Sequence, residues 1–423
     1  MPYRVIFIHQ NLPGQFRHLL NFCAKNPAFE VMVIGEKRRV LANFPRAVRG
    51  VAFHVYEVEE ISREQVPLEL WATTNAMRRG RAVALCLQNI KGAGFVPDVV
   101  YGHPGWGEML HVRDIFPKAR IINYCEFYFN RDGQDVNFDP EFQGHDTDTF
   151  RVRTDNMAQL ASLVDANAGI SPTQWQKTRY PKLVQPSISV VHDGIDLDVV
   201  GPDLDAKLTL ERESLSLDRH TPVITYVSRN LEPYRGFHVF MRALPRILKN
   251  VPNAHVLIVG GDGVSYSRRL SNGRTYRDAM LDEVGSHLDR SRVHFLGRIP
   301  YGQYLRVLQI STVHVYLTYP FVLSWSLLEA MATCGVVIGS KTAPVQEVIE
   351  DGTNGYLVDF FSQPDLIEAV TLACLGSRSL DAIRAEARET VIQRFNLRGS
   401  CLIQQLALLC PGYEPASVAT MIA

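Results

Sequence analysis

The stretch Pro222-Val223-Ile224-Thr225-Tyr226-Val227-Ser228-Arg229-Asn230-Leu231-Glu232-Pro233-Tyr234-Arg235-Gly236, continuing through Phe237 to Asn250, decides the fold. Pro222 to Ser228 is a short apolar run with β-branched residues, and a polar turn holding Pro233 separates it from a longer helical pattern, Gly236 to Asn250. A strand leading through a short loop into a helix is the repeating unit of a parallel sheet with crossover helices. Downstream the pattern predicts strands over Arg292 to Leu296, His255 to Gly260, Val313 to Leu317 and Val336 to Ser340, with a helix over Leu323 to Cys334. Upstream it predicts strands at Val5 to His9, Phe29 to Gly35, Val51 to Val58, Asp98 to Tyr101, Ala119 to Tyr124, Ala166 to Ser171 and Ser189 to His192. Between the two series, Asp193 to Thr221 is polar, carries Gly194, Gly201 and Pro202, and reads as the join. The expectation is an α/β chain of two Rossmann-like, doubly wound domains facing each other across a cleft. They are residues 1–200 and 201–395, followed by a closing helix over 396–423.

A chain of 423 residues is too long for one ordinary core and suits two domains. Lys plus Arg and Asp plus Glu both total 44, so nothing demands a nucleic-acid or polyacidic partner, and any basic site must be local. Met1-Pro2-Tyr3-Arg4 runs straight into Val5-Ile6-Phe7-Ile8, which reads as a first strand and not as a targeting leader. No run reaches the roughly 18 apolar residues that a membrane-spanning helix needs. A cytoplasmic protein is expected, soluble or peripheral at the inner membrane face. The seven cysteines are scattered and form no C-x-x-C pair, the pattern of reduced structural thiols.

In open parallel sheets a ligand sits beyond the carboxyl ends of the strands, so the loops there are the candidate sites. The first is His9-Gln10-Asn11-Leu12-Pro13-Gly14-Gln15, where Gly14 either lets backbone N–H groups approach a phosphate or simply makes a tight turn. In Tyr101-Gly102-His103-Pro104-Gly105-Trp106-Gly107, His103 either meets a sugar hydroxyl or phosphate or bonds its own turn. Arg229 and Arg235 flank a turn after the first strand of the second half, and their guanidinium forks suit phosphate oxygens. In Thr318 to Met331 the backbone amides near Val322, Leu323 and Ser324 open a helix, and Glu329 sits in an apolar stretch, wanting vicinal hydroxyls or a salt bridge. Glu347 stands at a loop–helix junction, as a ligand group or as a charge complementing a helix dipole. Asp196 and Asp198 imitate a D-x-D metal pair, but turn and capping uses explain them more simply, and Asp146 and Asp148 read as helix-start residues.

Taken together these segments resemble the retaining GT-B glycosyltransferases of family four, the large group-one family. Ser228 to Gly236 looks like its G-R-x-x-x-x-K-G loop, Val259-Gly260-Gly261-Asp262-Gly263 its glycine stretch, and Val293-His294-Phe295-Leu296-Gly297 its V-x-F-x-G strand. Leu328-Glu329-Ala330-Met331-Ala332 and Gln346 to Gly355 follow in family order. The resemblance implies a nucleotide-sugar donor, UDP- or GDP-linked, and no cofactor or metal. It places Arg229 and Arg235 on the donor diphosphate, Glu329 on the ribose, His103 on the transferred sugar, Gly14 in the closing loop, and His294 to Gly297, with Leu296, beside the nucleobase. Two departures stand out: Phe321 occupies the position eight residues before Glu329 where the family has an acid, and Gly14-Gln15 replaces two glycines.

The resemblance further implies that the leaving diphosphate takes the acceptor's proton while His103 positions the sugar. The acceptor is a glycan, a lipid-linked sugar or a small molecule. Its site is expected in the first half, where Tyr124 to Asp148 either lines a sugar surface, with Glu126 and Tyr128 as contacts, or forms an ordered surface loop. Basic residues Lys37, Arg38, Arg39, Arg78, Arg79 and Arg81 either touch an anionic membrane or are solvated. The rival readings are a silent homologue that binds a nucleotide or glycan as a scaffold, a GT-B epimerase or phosphorylase, and a dinucleotide-dependent dehydrogenase. The last lacks its G-x-G-x-x-G after either first strand.

Overall fold

The computed structural model describes residues 1–43, 51–143, 148–211, 214–376 and 380–412. The chain forms two compact units, neither continuous in sequence. The first takes Met1–Val136, Gly144–Gly194 and the segment from Leu397; the second takes Asn137–Gln143 and Ile195–Asn396.

The first unit is built on seven strands: β1 (Tyr3–Ile8), β2 (Phe29–Glu36), β3 (Val51–Tyr56), β4 (Val99–Gly102), β5 (Arg120–Tyr124), β6 (Ala168–Ser171) and β7 (Ile188–Val190). Their spatial order is β3-β2-β1-β4-β5-β6-β7, all parallel. Alternation along β1 explains why both faces are covered. Val5 and Phe7 join a cluster with Leu19, Leu20 and Cys23 of the helix Arg17–Lys25, whereas Ile6 and Ile8 join Val83, Leu87 and Ile90 of the helix Leu68–Gly92. Leu402, Leu406 and Leu409, on the short helix Leu402–Leu409, complete the first of these clusters. Residues 413–423 of the expected closing helix, and Asp146, lie outside the described residues. The run from Phe150 to Val164 divides into two helices, Asp148–Asp155 and Met157–Val164. At their junction the Asn156 side chain accepts from the Phe129 N–H and donates to its carbonyl.

The second unit opens with an antiparallel hairpin, β8 (Lys207–Leu210) and β9 (Leu215–Asp218). Here the structure corrects the expectation of a plain polar join. Leu208, Leu210 and Leu217 are buried with Val223 and Leu257, so the alternating leucines bind the hairpin to the unit's core. The main sheet follows: β10 (Val223–Asn230), β11 (His255–Gly261), β12 (Val293–Gly297), β13 (Val313–Tyr316), β14 (Val336–Ser340) and β15 (Tyr356–Val358). Its order is β12-β11-β10-β13-β14-β15, again all parallel, which repeats the first unit's winding. The helix Phe237–Asn250 begins at Gly236, which has φ +67° and whose added Cβ would fall 2.4 Å from the Leu317 Cβ. Only glycine lets this helix start so close to the neighbouring loop. All seven cysteines are free thiols.

Asn137–Gln143 packs within the second unit, which corrects the expectation that the whole stretch Tyr124 to Asp148 forms one sugar-binding surface or loop. Phe138 packs on Tyr319, Phe360 and Phe361. Asp139, buried, accepts from the Tyr319 hydroxyl at 2.8 Å, lies 3.1 Å from His238 Nε2 and accepts from the Glu141 N–H at 3.0 Å. Glu141 makes two contacts to Arg242, at 2.6 and 2.7 Å. Burial by itself would raise the Asp139 carboxyl, but the His238 and Tyr319 hydrogen bonds outweigh it and hold the group below its ordinary value. A carboxyl depressed in the folded state contributes stability above its unfolded pKa, and that contribution is lost as the pH falls through the folded value. The melting-temperature difference between wild type and Asp139→Asn, followed by circular dichroism, should therefore be largest near neutrality and shrink towards acid pH.

Candidate functional site

Equal winding in the two sheets puts a topological switch point between β1 and β4 in one unit and between β10 and β13 in the other. Gly14 and His103 follow the carboxyl ends of β1 and β4, and Arg229, Arg235 and Val322–Ser324 those of β10 and β13, where crossovers diverge and leave a crevice in each unit.

In the first unit the loop after β1 turns on Gly14, with φ +48°, directly over the His9 ring; an added Cβ would come 2.9 Å from His9 Cε1. His9 is buried and its Nδ1 accepts from the Asn11 N–H at 2.8 Å. Burial, followed by the neighbouring His103, pushes its pKa down to about 3, so it is neutral. After β4, His103 stacks on Trp106 with centroids 4.0 Å apart. Its Nδ1 accepts from the Gly105 N–H at 3.0 Å, which leaves Nε2 to carry the proton that faces Glu126 Oε2 at 3.1 Å. The other carboxylate oxygen of Glu126 accepts from Gln15 Nε2 at 2.5 Å. Thus three of the predicted residues, Gly14, His103 and Glu126, come together, and Gln15 links them. Burial alone would raise the Glu126 carboxyl, but the hydrogen bonds from His103 and Gln15 outweigh it and hold the group below its ordinary value. Tyr128 stands apart: its ring packs on Tyr180 at 5.3 Å beside the small core cluster of Cys125, Leu163 and Ile188.

In the second unit Arg229 is exposed at the end of β10. Arg235 reaches across the switch point, and its Nη1 donates to Thr318 Oγ1 at 2.8 Å and to the Val322 carbonyl at 3.0 Å. The guanidinium also lies 5.9 Å from the rings of Tyr266 and Phe321. Phe321, where a family acid was expected, is buried and packs edge-on against Tyr234 and Tyr266. Leu323 is nearly buried, and the Ser324 N–H donates to the Tyr316 hydroxyl at 2.7 Å. Ser324 also caps the helix Trp325–Ala332. One to two turns along it, Glu329 accepts from the hydroxyls of Tyr301 at 2.7 Å and Tyr304 at 2.5 Å. The His294 side chain is buried and meets His255 at 3.0 Å, and Leu296 packs beside the cluster under the hairpin. Glu347 caps the C-terminus of the short helix Ala343–Gln346, which corrects the reading of it as a charge at a helix start. Asp196 accepts from the Asp198 N–H at 3.3 Å, a turn contact.

Several polar residues of this half were not singled out as site residues from the sequence. Glu232, buried inside the arginine loop, receives the N–H groups of Ser265, Tyr266 and Ser267 at 2.9 to 3.1 Å, a backbone nest for an anion. Asn230 bonds Arg298 and Ser265, which brings a guanidinium beside Gly261. Tyr301 and Tyr304 carry a readable signal, a pair at i and i+3 on one helix face. Among the described residues no three His, Cys, Asp or Glu side chains converge as metal ligands, and no helix is long and apolar enough to cross a membrane. Of the basic clusters, Lys37 pairs with Glu57, Arg39 with Glu36 and Arg79 with Glu60.

Residues 28–200 match the family described as "Glycosyl transferase family 4 group", and residues 209–390 match "Glycosyl transferases group 1". The chain is 28% identical over 174 residues to the D-inositol 3-phosphate glycosyltransferase of Corynebacterium glutamicum, which covers 41% of this chain and 40% of that protein. It is 28% identical over 235 residues to the GDP-mannose-dependent alpha-(1-6)-phosphatidylinositol monomannoside mannosyltransferase of Mycolicibacterium smegmatis, 53% of this chain and 56% of that one. The matches thus span between two and three fifths of these relatives' lengths. Among solved structures, sucrose-phosphate synthase from Thermosynechococcus elongatus superposes with a TM-score of 0.71 at 18% identity, covering 96% of this chain and 98% of that one. HepE of Anabaena in complex with UDP does so at 0.64 and 14%, covering 96% and 99%. These two likenesses show that the fold is GT-B.

Removing the Tyr304 hydroxyl leaves a buried carboxylate short of a donor, which costs about 1 to 3 kcal/mol. Tyr304→Phe should lower the denaturant midpoint accordingly, and Tyr301→Phe, at a residue 46% exposed, should lower it less.

Proposed function

We propose, from the premise that the chain belongs to the family 4 (group 1) glycosyltransferases, that it transfers a sugar from a UDP- or GDP-linked donor to a hydroxyl-bearing acceptor with retention of configuration. The observation that carries this reading is Arg235. One amino group of its guanidinium is spent on Thr318 and Val322, which fixes the fork at the switch point beside a helix N-terminus. Such a group meets the charge that grows on a leaving diphosphate without reorganising. Arg229, exposed at the end of the same strand, supplies a second cation, and Glu329 holds vicinal ribose hydroxyls from its place between two tyrosines.

On this reading the arginines and the N–H groups opening the helix Trp325–Ala332 do the work that a metal ion does elsewhere, and none is required. The leaving phosphate takes the acceptor's proton on the face where the bond breaks. Gly14 and His103 contact the transferred sugar and phosphate, and His294 and Leu296 form the strand that passes the base. For the acceptor, the names of the relatives support a polyol or its lipid-linked form: one acts on D-inositol 3-phosphate and another on a phosphatidylinositol mannoside.

The test is a thermal-shift screen of purified protein against UDP, GDP, ADP and their common sugar conjugates, repeated with Arg235→Ala. A ligand at 100 times its Kd adds about 2.7 kcal/mol of stability. One nucleotide should raise the melting temperature of wild type. In Arg235→Ala the affinity should fall by roughly 10- to 150-fold, the equivalent of a lost charged hydrogen bond of about 1.5 to 3 kcal/mol. No shift with any nucleotide overturns the proposal in favour of a silent homologue. Once a donor is known, NMR of the product decides configuration: an inverted anomeric centre ends the retaining assignment.

A further inference from the structure

Glu126 bonds to both loops of the first unit's crevice. Through Oε1 it holds Gln15, next to the turning Gly14, and through Oε2 it faces the Nε2 of His103. Its backbone carbonyl is held by Gln176 Nε2 at 2.5 Å, so the side chain swings from a fixed point. The side chain of His103 is only 6% exposed against 21% for Glu126, and Trp106 covers one face of the imidazole. With Gly105 on Nδ1 and Glu126 on Nε2, both ring nitrogens are committed and the ring has one tautomer and one orientation.

We propose that Glu126 is the positioning residue of the first unit's crevice, clamping the His103 ring and the Gly14–Gln15 loop into a single arrangement before substrate arrives. The inference rests on the transferase reading above for its catalytic meaning, although the clamp itself is a property of this unit alone. A clamp of this kind acts on rate more than on donor binding, because displacing a contact group by about 1 Å costs on the order of 100-fold in turnover. On that reading the ribose and most of the diphosphate contacts fall to Arg229, Arg235 and Glu329 of the other unit, so nucleotide affinity should change little when Glu126 is replaced.

The experiment uses the full chain labelled with 15N-histidine, as wild type, Glu126→Ala, Glu126→Gln, Glu126→Leu and Gln15→Ala. In wild type the His103 ring should show a single Nε2–H tautomer. Glu126→Ala should give an averaged or altered ring spectrum, a turnover of the nucleotide-sugar selected by the screen about 100-fold lower, and a nucleotide Kd within about 2-fold of wild type. Glu126→Gln, whose amide oxygen still accepts from Nε2–H, should recover most of the rate and the tautomer, whereas Glu126→Leu, which fills similar space without an acceptor, should recover neither. Gln15→Ala should leave the His103 spectrum intact and lower turnover by an intermediate factor. An unchanged His103 spectrum in Glu126→Ala overturns the clamp, as does turnover unchanged in both Glu126→Ala and Gln15→Ala. If Glu126→Ala does not fold, Glu126→Gln and Gln15→Ala decide by the same two readouts. A wild type that binds no nucleotide fails the transferase reading and, with it, the catalytic role; the histidine spectrum then decides the clamp alone.

Discussion

A parallel sheet buried on both faces must send its crossover helices to alternate sides, and at one point in its strand order the winding reverses. In this chain that happens twice, between β1 and β4 and between β10 and β13. The helix Arg17–Lys25 covers one face of the first sheet and the helix Leu68–Gly92 the other, so the carboxyl ends of β1 and β4 open into space that neither helix fills. Several polar groups of both units take their places from that constraint. His9 and His103 sit at the ends of β1 and β4, and Arg229 and the Thr318–Ser324 loop at the ends of β10 and β13.

Around the second switch point, charges are fixed largely by neutral partners. Arg235 is anchored by a hydroxyl and a carbonyl, Glu329 by two phenols and Glu232 by three backbone N–H groups. A charge held this way keeps most of its field for a ligand, whereas one locked in an ion pair would be neutralised. Glu232 has a further effect: its nest orders the turn that sets Tyr266 against Phe321 and within reach of Arg235. The aromatic neighbours of Arg235 therefore depend on a buried carboxylate in the same loop.

The two units also show that compactness follows burial and not chain order. Leu402, Leu406 and Leu409 return to seal the first unit because their apolar stripe matches the uncovered face beside Val5 and Phe7. Asn137–Gln143 belongs to the second unit because Asp139 and Phe138 find their partners there, in His238, Tyr319 and Phe360. Neither assignment follows from local pattern alone, since each depends on residues more than a hundred positions away.

The sequence by itself determined the doubly wound character of both sheets and the strand-end loops in which the candidate residues sit. Apolar β-branched runs, helical periodicity and turn residues are local signals, and β14 and the helix from Phe237 lie within a residue of where those signals put them. It also singled out Gly14, His103, Arg229, Arg235 and Glu329, because charged or flexible residues at strand ends stand out against apolar surroundings. Three strands escaped it: β15, a three-residue strand Tyr356–Val358, and the β8–β9 hairpin, hidden in a polar segment whose alternating leucines were the clue. Only the tertiary structure decided who partners whom. That Glu126 faces His103, that Glu329 rests between Tyr301 and Tyr304, and that Phe321 lies beside Arg235 are contacts between different elements, set by the register of strands and the packing of helices. A linear pattern carries periodicity, but a hydrogen bond across an interior depends on distances that exist only once the layers have closed.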